Sequence, residues 1–201
     1  LSETIDAGDI AEQPLMAPAR AEASAGDIQT AAAWLLAARN PVIFVQRGAG
    51  DAEGFRALSD IADRYSIPVV HYWATQIGIP TNHAMWAGGD PAPWLSDADV
   101  ILVIDALAPW MPEIHTPRAD ARIIQLGPNP LFSRFPVRNF RSNLSIATET
   151  AAGIAALAEA MGTLDDPAPS ARATRRATLL PALSAEQEKE VAAARDEQGP
   201  L

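Results

Sequence analysis

The stretch Pro41-Val-Ile-Phe-Val-Gln-Arg-Gly-Ala-Gly constrains this chain more than any other segment. Its apolar run, Val42 to Val45, stops at two glycines, and a helical pattern begins from Asp51. A strand that is apolar on successive residues is buried on both faces, as in a parallel sheet. Joined at once to a glycine turn and a helix, it marks the corner where α/β folds hold nucleotides. Gly48 and Gly50 let the backbone turn tightly and present N–H groups at a helix N-terminus, where an anion is welcome. The dinucleotide spacing asks for another glycine at position 53, where this chain has Glu53. Its carboxylate would repel a pyrophosphate, so a tight turn without a ligand stands beside the nucleotide alternative.

At 201 residues the chain amounts to one domain with appendages, or one domain of something larger. Apolar residues make up 48% of it, enough for a core, and no apolar run approaches a membrane span of about 18 residues. No leader pattern opens the chain. The net charge of −10 disfavours nucleic acid and anionic membranes as partners. The absence of cysteine excludes disulfides, thiolate zinc sites and cysteine nucleophiles, and points to the reducing cytoplasm. Lys189 is the one lysine and lies in a polar tail, which excludes Schiff-base chemistry on a buried lysine. Residues 1–26 and 163–201, with Pro167, Pro169 and Pro181 spread through the second segment, have linker composition, with exposed helical turns expected near Ala185–Arg195. Residues 27–162 are left as the domain.

Within those bounds, Asp27 can cap a helix running to Arg39, with Ile28, Ala32, Leu35 and Leu36 on one face. Strands are expected at 42–45, 67–72, 100–104, 122–126 and 144–147. Helices are expected at 52–65 and 149–161, the last with Thr148 as a possible cap, and a Gly/Pro/Trp-rich segment runs from Trp73 to Ser96. Strands alternating with helices or long crossovers imply a mainly parallel sheet. The expected fold is a three-layer, Rossmann-like α/β sandwich with strand order 2-1-3-4-5 and room for a sixth strand. Its switch point lies between the first and third strands, over Gly48/Gly50 and Asp105/Ala106.

Few residues offer chemistry of their own. His71, His83 and His115 have no partner at metal-ligand spacing, and no nucleophile elbow surrounds any serine. No catalytic and no metal-ligating residue is therefore assigned. Trp73, Trp86, Trp94 and Trp110 suit either stacking on an adenine or flavin ring, or packing at a domain or subunit interface. Arg134, Arg138 and Arg141, set among Phe132, Phe135 and Phe140, suit either phosphate or carboxylate capture, or a packed loop. Asp105, directly after the third strand, can accept from a ligand hydroxyl or cap the loop that follows.

Several landmarks in order resemble the central domain of thiamine diphosphate-dependent enzymes of the acetolactate synthase type. They are Arg39-Asn40-Pro41-Val-Ile-Phe-Val, Arg47-Gly48-Ala49-Gly50, Tyr65-Ser66-Ile67-Pro68-Val69-Val70, and Gly78-Ile79-Pro80-Thr81-Asn82-His83. Asp97-Ala-Asp-Val-Ile-Leu-Val-Ile and Ala121-Arg-Ile-Ile-Gln-Leu-Gly-Pro-Asn-Pro continue the series, which spans about residues 27–161.

The resemblance implies an enzyme of three α/β domains, with thiamine diphosphate and Mg²⁺ held between the first and third domains of different subunits. It implies N- and C-terminal domains of the same enzyme as partners, within a homo-oligomer (dimer or tetramer). The middle domain of that family binds FAD in some members, ADP in others and nothing in several. Carried onto this chain, the nucleotide-binding positions are Arg47, Gly48, Gly50, Gly78 and Asp105. Gly127 replaces the acidic residue of flavin-binding members, and Asp105-Ala-Leu-Ala-Pro-Trp-Met-Pro replaces their arginine-rich segment; both departures weigh against flavin. The chain lacks the family's glutamate context and its Gly-Asp-Gly…Asn motif. The resemblance thus implies an architectural, possible nucleotide-holding module of a 2-keto acid carboligase or decarboxylase, inactive alone. The alternative is a free-standing nucleotide-binding module of the same fold.

Overall fold

The strands β1 (Pro41–Val45), β2 (Val69–Val70), β3 (Val100–Ile104), β4 (Arg122–Gly127) and β5 (Leu144–Ala147) form one sheet. Every neighbouring pair is parallel and the order is β2-β1-β3-β4-β5, as the alternation of strands and crossovers implies. The helices are α1 (Ala25–Ala37), α2 (Ala52–Tyr65), α3 (Ala92–Leu95), α4 (Thr150–Thr163) and α5 (Pro169–Gln198). The computed structural model describes residues 21–136, 138 and 140–198.

β1 and β3 are buried at every position and pair in register from Pro41↔Val100 to Val45↔Ile104. This is the packing their unbroken β-branched and aromatic runs require, since both faces must be covered. α4 packs between α1 and α2 on one face. The rightward crossovers from β2 to β3, β3 to β4 and β4 to β5 then lie on the other face, α3 among them.

Several local expectations shift. α1 starts at Ala25, so Asp27 sits in its first turn, where it favours the helix dipole, and does not cap it. Thr148 does not cap α4; Glu149 takes that position, and the Thr148 hydroxyl donates to the Ala21 carbonyl at 2.9 Å. β2 is shorter than the expected 67–72. Its outer side is occupied by residues 85–88, through Val69 N–H to Met85 O, Ala87 N–H to Val69 O and His71 N–H to Gly88 O, each 2.9 Å. That segment makes an isolated parallel bridge, Val69↔Trp86, at the place a sixth strand would take.

The larger difference is at the C-terminal side, where residues expected to be linker form the 30-residue α5. Pro169 stands at its start, where a missing N–H costs nothing, and Pro181 sits inside it. The cost of Pro181 is offset by burial of Leu183 and by Leu179 and Leu180 packed against the core. The Arg175 guanidinium donates to the carbonyls of Ala38 (3.1 Å), Arg39 (3.0 Å), Tyr65 (2.8 Å) and Ser66 (3.4 Å), which close the C-terminal ends of α1 and α2. Farther along, Gln187 donates to His83 O at 2.9 Å, and Glu190 accepts from Gly89 N–H at 3.4 Å. The helix therefore packs on the β2 side of the sheet, against the segment 83–89 that itself pairs along β2.

Two outcomes follow. A Cβ on Gly54 would lie 2.0 Å from the Ala49 carbonyl and 3.0 Å from Ala151 of α4. Gly54→Ala should cost about 2–3 kcal/mol in urea unfolding, whereas Gly26→Ala, with open space around it, should change stability by about 0.5–1 kcal/mol in the favourable direction. Arg175→Ala leaves helix-end carbonyls unpaired and should cost about 2–3 kcal/mol, with faster amide exchange along α5.

Candidate functional site

All strands run the same way, so the loops that follow them gather at one edge of the sheet, which holds the switch point between β1 and β3. There the chain leaves β1 through Gln46, whose side chain spans to the loop after β3. Its Oε1 accepts from Leu107 N–H at 2.9 Å and its Nε2 donates to Ala108 O at 3.3 Å. The Gln46 carbonyl accepts from Thr75 N–H at 2.8 Å, so one residue ties the ends of three neighbouring strands together.

The turn into α2 follows. Gly48 has φ +77°, a conformation that L side chains rarely adopt, and a Cβ there would press on Gln76. Gly50 is set by packing, because its Cβ would stand 2.7 Å from the Ala151 nitrogen of α4. The Asp51 carboxylate accepts from Glu53 N–H and Gly54 N–H, both at 2.9 Å. The N–H groups expected to welcome an anion are thus capped by the chain's own carboxylate, which puts a negative charge where a phosphate would sit. Outside this turn lies an open cleft of about 490 Å³, lined by residues 48–52 with Phe55, Gln76 and Ile77.

Gly78 is not in that cleft. It is buried behind β1, where a Cβ would lie 2.8 Å from Val45 Cγ1, and its N–H donates to His71 Nε2 at 3.2 Å. Arg47 and Asp105 do meet, with guanidinium and carboxylate 3.8 Å apart. Burial pushes the Asp105 carboxyl above the usual range, and Arg47 opposes this. Arg47 also lies 4.9 Å from the centre of the Phe132 ring. The structure therefore groups Arg47, Gly48, Gly50 and Asp105 at one edge and separates Gly78 from them.

Two of the three loop arginines bond the chain's own carbonyls. Arg138 donates to Ala106 O (2.9 Å), Leu107 O (3.1 Å) and Gln125 Oε1 (2.9 Å), and stacks near Phe132 and Phe140. Arg141 donates to Arg118 O and Ala121 O, and Arg134 is exposed. Gln46 and Gln125 are the residues that sequence reasoning missed. Their signal was available, as each is a single amide set against an apolar strand, which burial obliges to find partners.

The tryptophans do not form one stacking platform. Trp110 is buried edge-on against Phe44 and Phe140, and Trp94 is half-buried beside α5. Trp86 is buried and donates to His71 Nδ1 at 3.0 Å. Trp73 is exposed and stacks on Tyr72, with ring centres 5.0 Å apart. Both His71 nitrogens face donors, and burial lowers its pKa to about 4. His83 and His115 each accept a backbone N–H at Nδ1, from Met85 and Met111. Among the described residues no group of three or more His, Asp or Glu could hold a metal ion. No chemical step is assigned to these residues.

An all-parallel sheet of this order, with its switch-point edge, defines a Rossmann-like α/β domain. The family model for the central domain of thiamine pyrophosphate enzymes matches residues 28–157, and the chain belongs to that family. Among solved structures it is similar to a protein from Mycobacterium smegmatis described as a thiamin diphosphate-dependent enzyme. That match has a TM-score of 0.60 and 21% identity, over 78% of this chain and 31% of that one. It is also similar to benzoylformate decarboxylase from Polynucleobacter necessarius, with a TM-score of 0.61 and 15% identity, over 79% of this chain and 30% of that one. The chain thus spans about a third of the length of the structures it matches. No curated protein sequence gives a significant match.

The His71 site yields a pH dependence. Its pKa is lowered from 6.5 to about 4 in the folded chain, so the unfolded state takes up the proton first as pH falls. The stabilisation is complete above pH 6.5 and is lost progressively toward pH 4. Unfolding free energy should drop by about 2–3 kcal/mol between pH 7.5 and 4.5 from this residue. His71→Asn, which keeps an acceptor for Trp86, should remove that part of the slope in urea titrations at the two pH values.

Proposed function

We propose that this chain is the central domain of a 2-keto acid carboligase or decarboxylase of the acetolactate synthase kind, with an architectural role within it. Family membership supplies the thiamine diphosphate setting. The architectural part rests on one observation: the polar groups at the switch point are already satisfied by Gln46, Asp51 and Arg138. A nucleotide seated there would have to displace contacts that the fold itself needs. In such an enzyme thiamine diphosphate supplies the carbon-centred chemistry at the keto carbonyl. This domain would hold the cofactor-binding domains at their working separation.

A second reading, a nucleotide held by this domain, is favoured by the open cleft beside Gly48 and Gly50 and by the exposed Arg47 next to it. ADP or FAD would then lie outside the capped helix turn, with Arg47 facing its phosphates. Calorimetric titration of the chain with ADP and with FAD separates the two. The architectural role predicts binding weaker than about 1 mM. A micromolar constant that Arg47→Ala weakens at least tenfold would establish the nucleotide site instead.

A further inference from the structure

His71 stands directly after β2, is only 8% exposed, and has an N–H donor facing each of its ring nitrogens. The Gly78 N–H lies 3.2 Å from Nε2, and the Trp86 indole N–H lies 3.0 Å from Nδ1. Neither donor has another partner among the described residues.

A neutral imidazole carries one hydrogen and one free lone pair, so it accepts one hydrogen bond and not two. The protonated ring accepts none. Burial lowers the His71 pKa to about 4, which leaves the ring neutral at pH 7. At any moment, then, one of the two donors meets the ring's own N–H instead of a lone pair. A buried donor without an acceptor is unfavourable, and the two tautomers place that penalty on different donors. The donors stand at comparable distances and both are uncharged, so no charge on either one selects a tautomer.

The two donors belong to different parts of the molecule. Gly78 is the buried end of a stretch whose preceding residues, Gln76 and Ile77, line the cleft beside Gly48 and Gly50. Trp86 lies in the segment that pairs along β2 and is held by α5. There Gln187 donates to the carbonyls of His83 at 2.9 Å and Trp86 at 3.3 Å. One lone pair is thus shared between a wall of the cleft and the segment that α5 grips.

We propose that His71 is a two-position conformational switch that couples the cleft wall at residues 76–78 to the α5 contact at Trp86. With the hydrogen on Nδ1, Nε2 holds Gly78 and fixes the cleft wall, while the Trp86 indole is released. With the hydrogen on Nε2, Nδ1 holds Trp86 and Gly78 is released. Tightening one contact loosens the other, and linkage makes the effect reciprocal: whatever fixes the wall weakens the hold on Trp86 by the same factor as the reverse. The switch belongs to the chain itself and holds whether or not the cleft takes a nucleotide.

The test labels the histidine ring nitrogens with nitrogen-15 and reads their chemical shifts at about pH 8, above the ordinary histidine pKa. A nitrogen bearing hydrogen and one bearing a lone pair resonate far apart. The expected result for His71 is intermediate shifts at both nitrogens, or two sets of signals, with the minor tautomer at about 10% or more. One pure tautomer would overturn the proposal. Two variants test the coupling, because an asparagine side-chain oxygen reaches the place of Nδ1 and a glutamine oxygen that of Nε2. In His71→Asn, hydrogen exchange should slow at the Trp86 indole N–H and quicken at the Gly78 N–H, each by about tenfold or more. His71→Gln should reverse both changes. Exchange rates that move in the same direction at the two donors would mean a structural role only and would also overturn the proposal. The ring-nitrogen measurement needs no variant, so it decides even where a variant does not fold.

Discussion

A parallel sheet must be covered on both faces and can be connected only by crossovers, and most of this molecule follows from that requirement. β1 and β3 have buried residues at all positions, so helices must seat closely on them. Close seating explains why Gly50 and Gly54 lie where Ala151 of α4 approaches them. Crossovers also send every post-strand loop to one edge. Gln46 and the positive-φ residues Gly48, Trp73, Asp105 and Phe132 all follow strands there for the same topological reason.

At that edge the side chains bonded to the backbone matter more than the exposed ion pair. Arg47 is about half exposed and 3.8 Å from Asp105, a geometry that contributes under about 1 kcal/mol. Gln46 and Arg138, by contrast, satisfy carbonyls and an N–H of the loop after β3, at Ala106, Leu107 and Ala108, and each buried polar group left unpaired would cost about 1–3 kcal/mol. The crevice that related topologies leave for a ligand is here a set of internal contacts. The space that remains open lies outside, against Gly48 and Phe55.

The strands and their order were legible because short runs of β-branched residues and leucine such as Val100–Ile104 suit a strand buried on both faces, and α2 was legible to the residue. β2 was overread because Ile67, Pro68, His71 and Tyr72 look extended, while strand pairing stops at Val70. α5 was read as linker with helical turns only near Ala185–Arg195, because Pro181 and a polar composition oppose a longer helix locally; tertiary burial of Leu183 and the Arg175 contacts extend it. At the site, the grouping of Arg47 with Asp105 was legible from the switch-point rule. The separate fate of Gly78 was not, since a glycine needed for packing against Val45 looks the same in sequence as one needed for a ligand.

The ordering of α5 gives the proposed architectural role a physical content. A flexible tail of 30 residues would spread over roughly 30 Å in any direction. The same residues as a helix run about 45 Å along one line. That line is fixed at both edges of the sheet, by Arg175 at one and by Gln187 and Glu190 at the other. The domain thereby sets the point and direction at which the chain departs. In the enzyme proposed above, a domain held this way would influence a reaction elsewhere in the polypeptide, because misplacing reacting groups by about 1 Å can cost a hundredfold in rate.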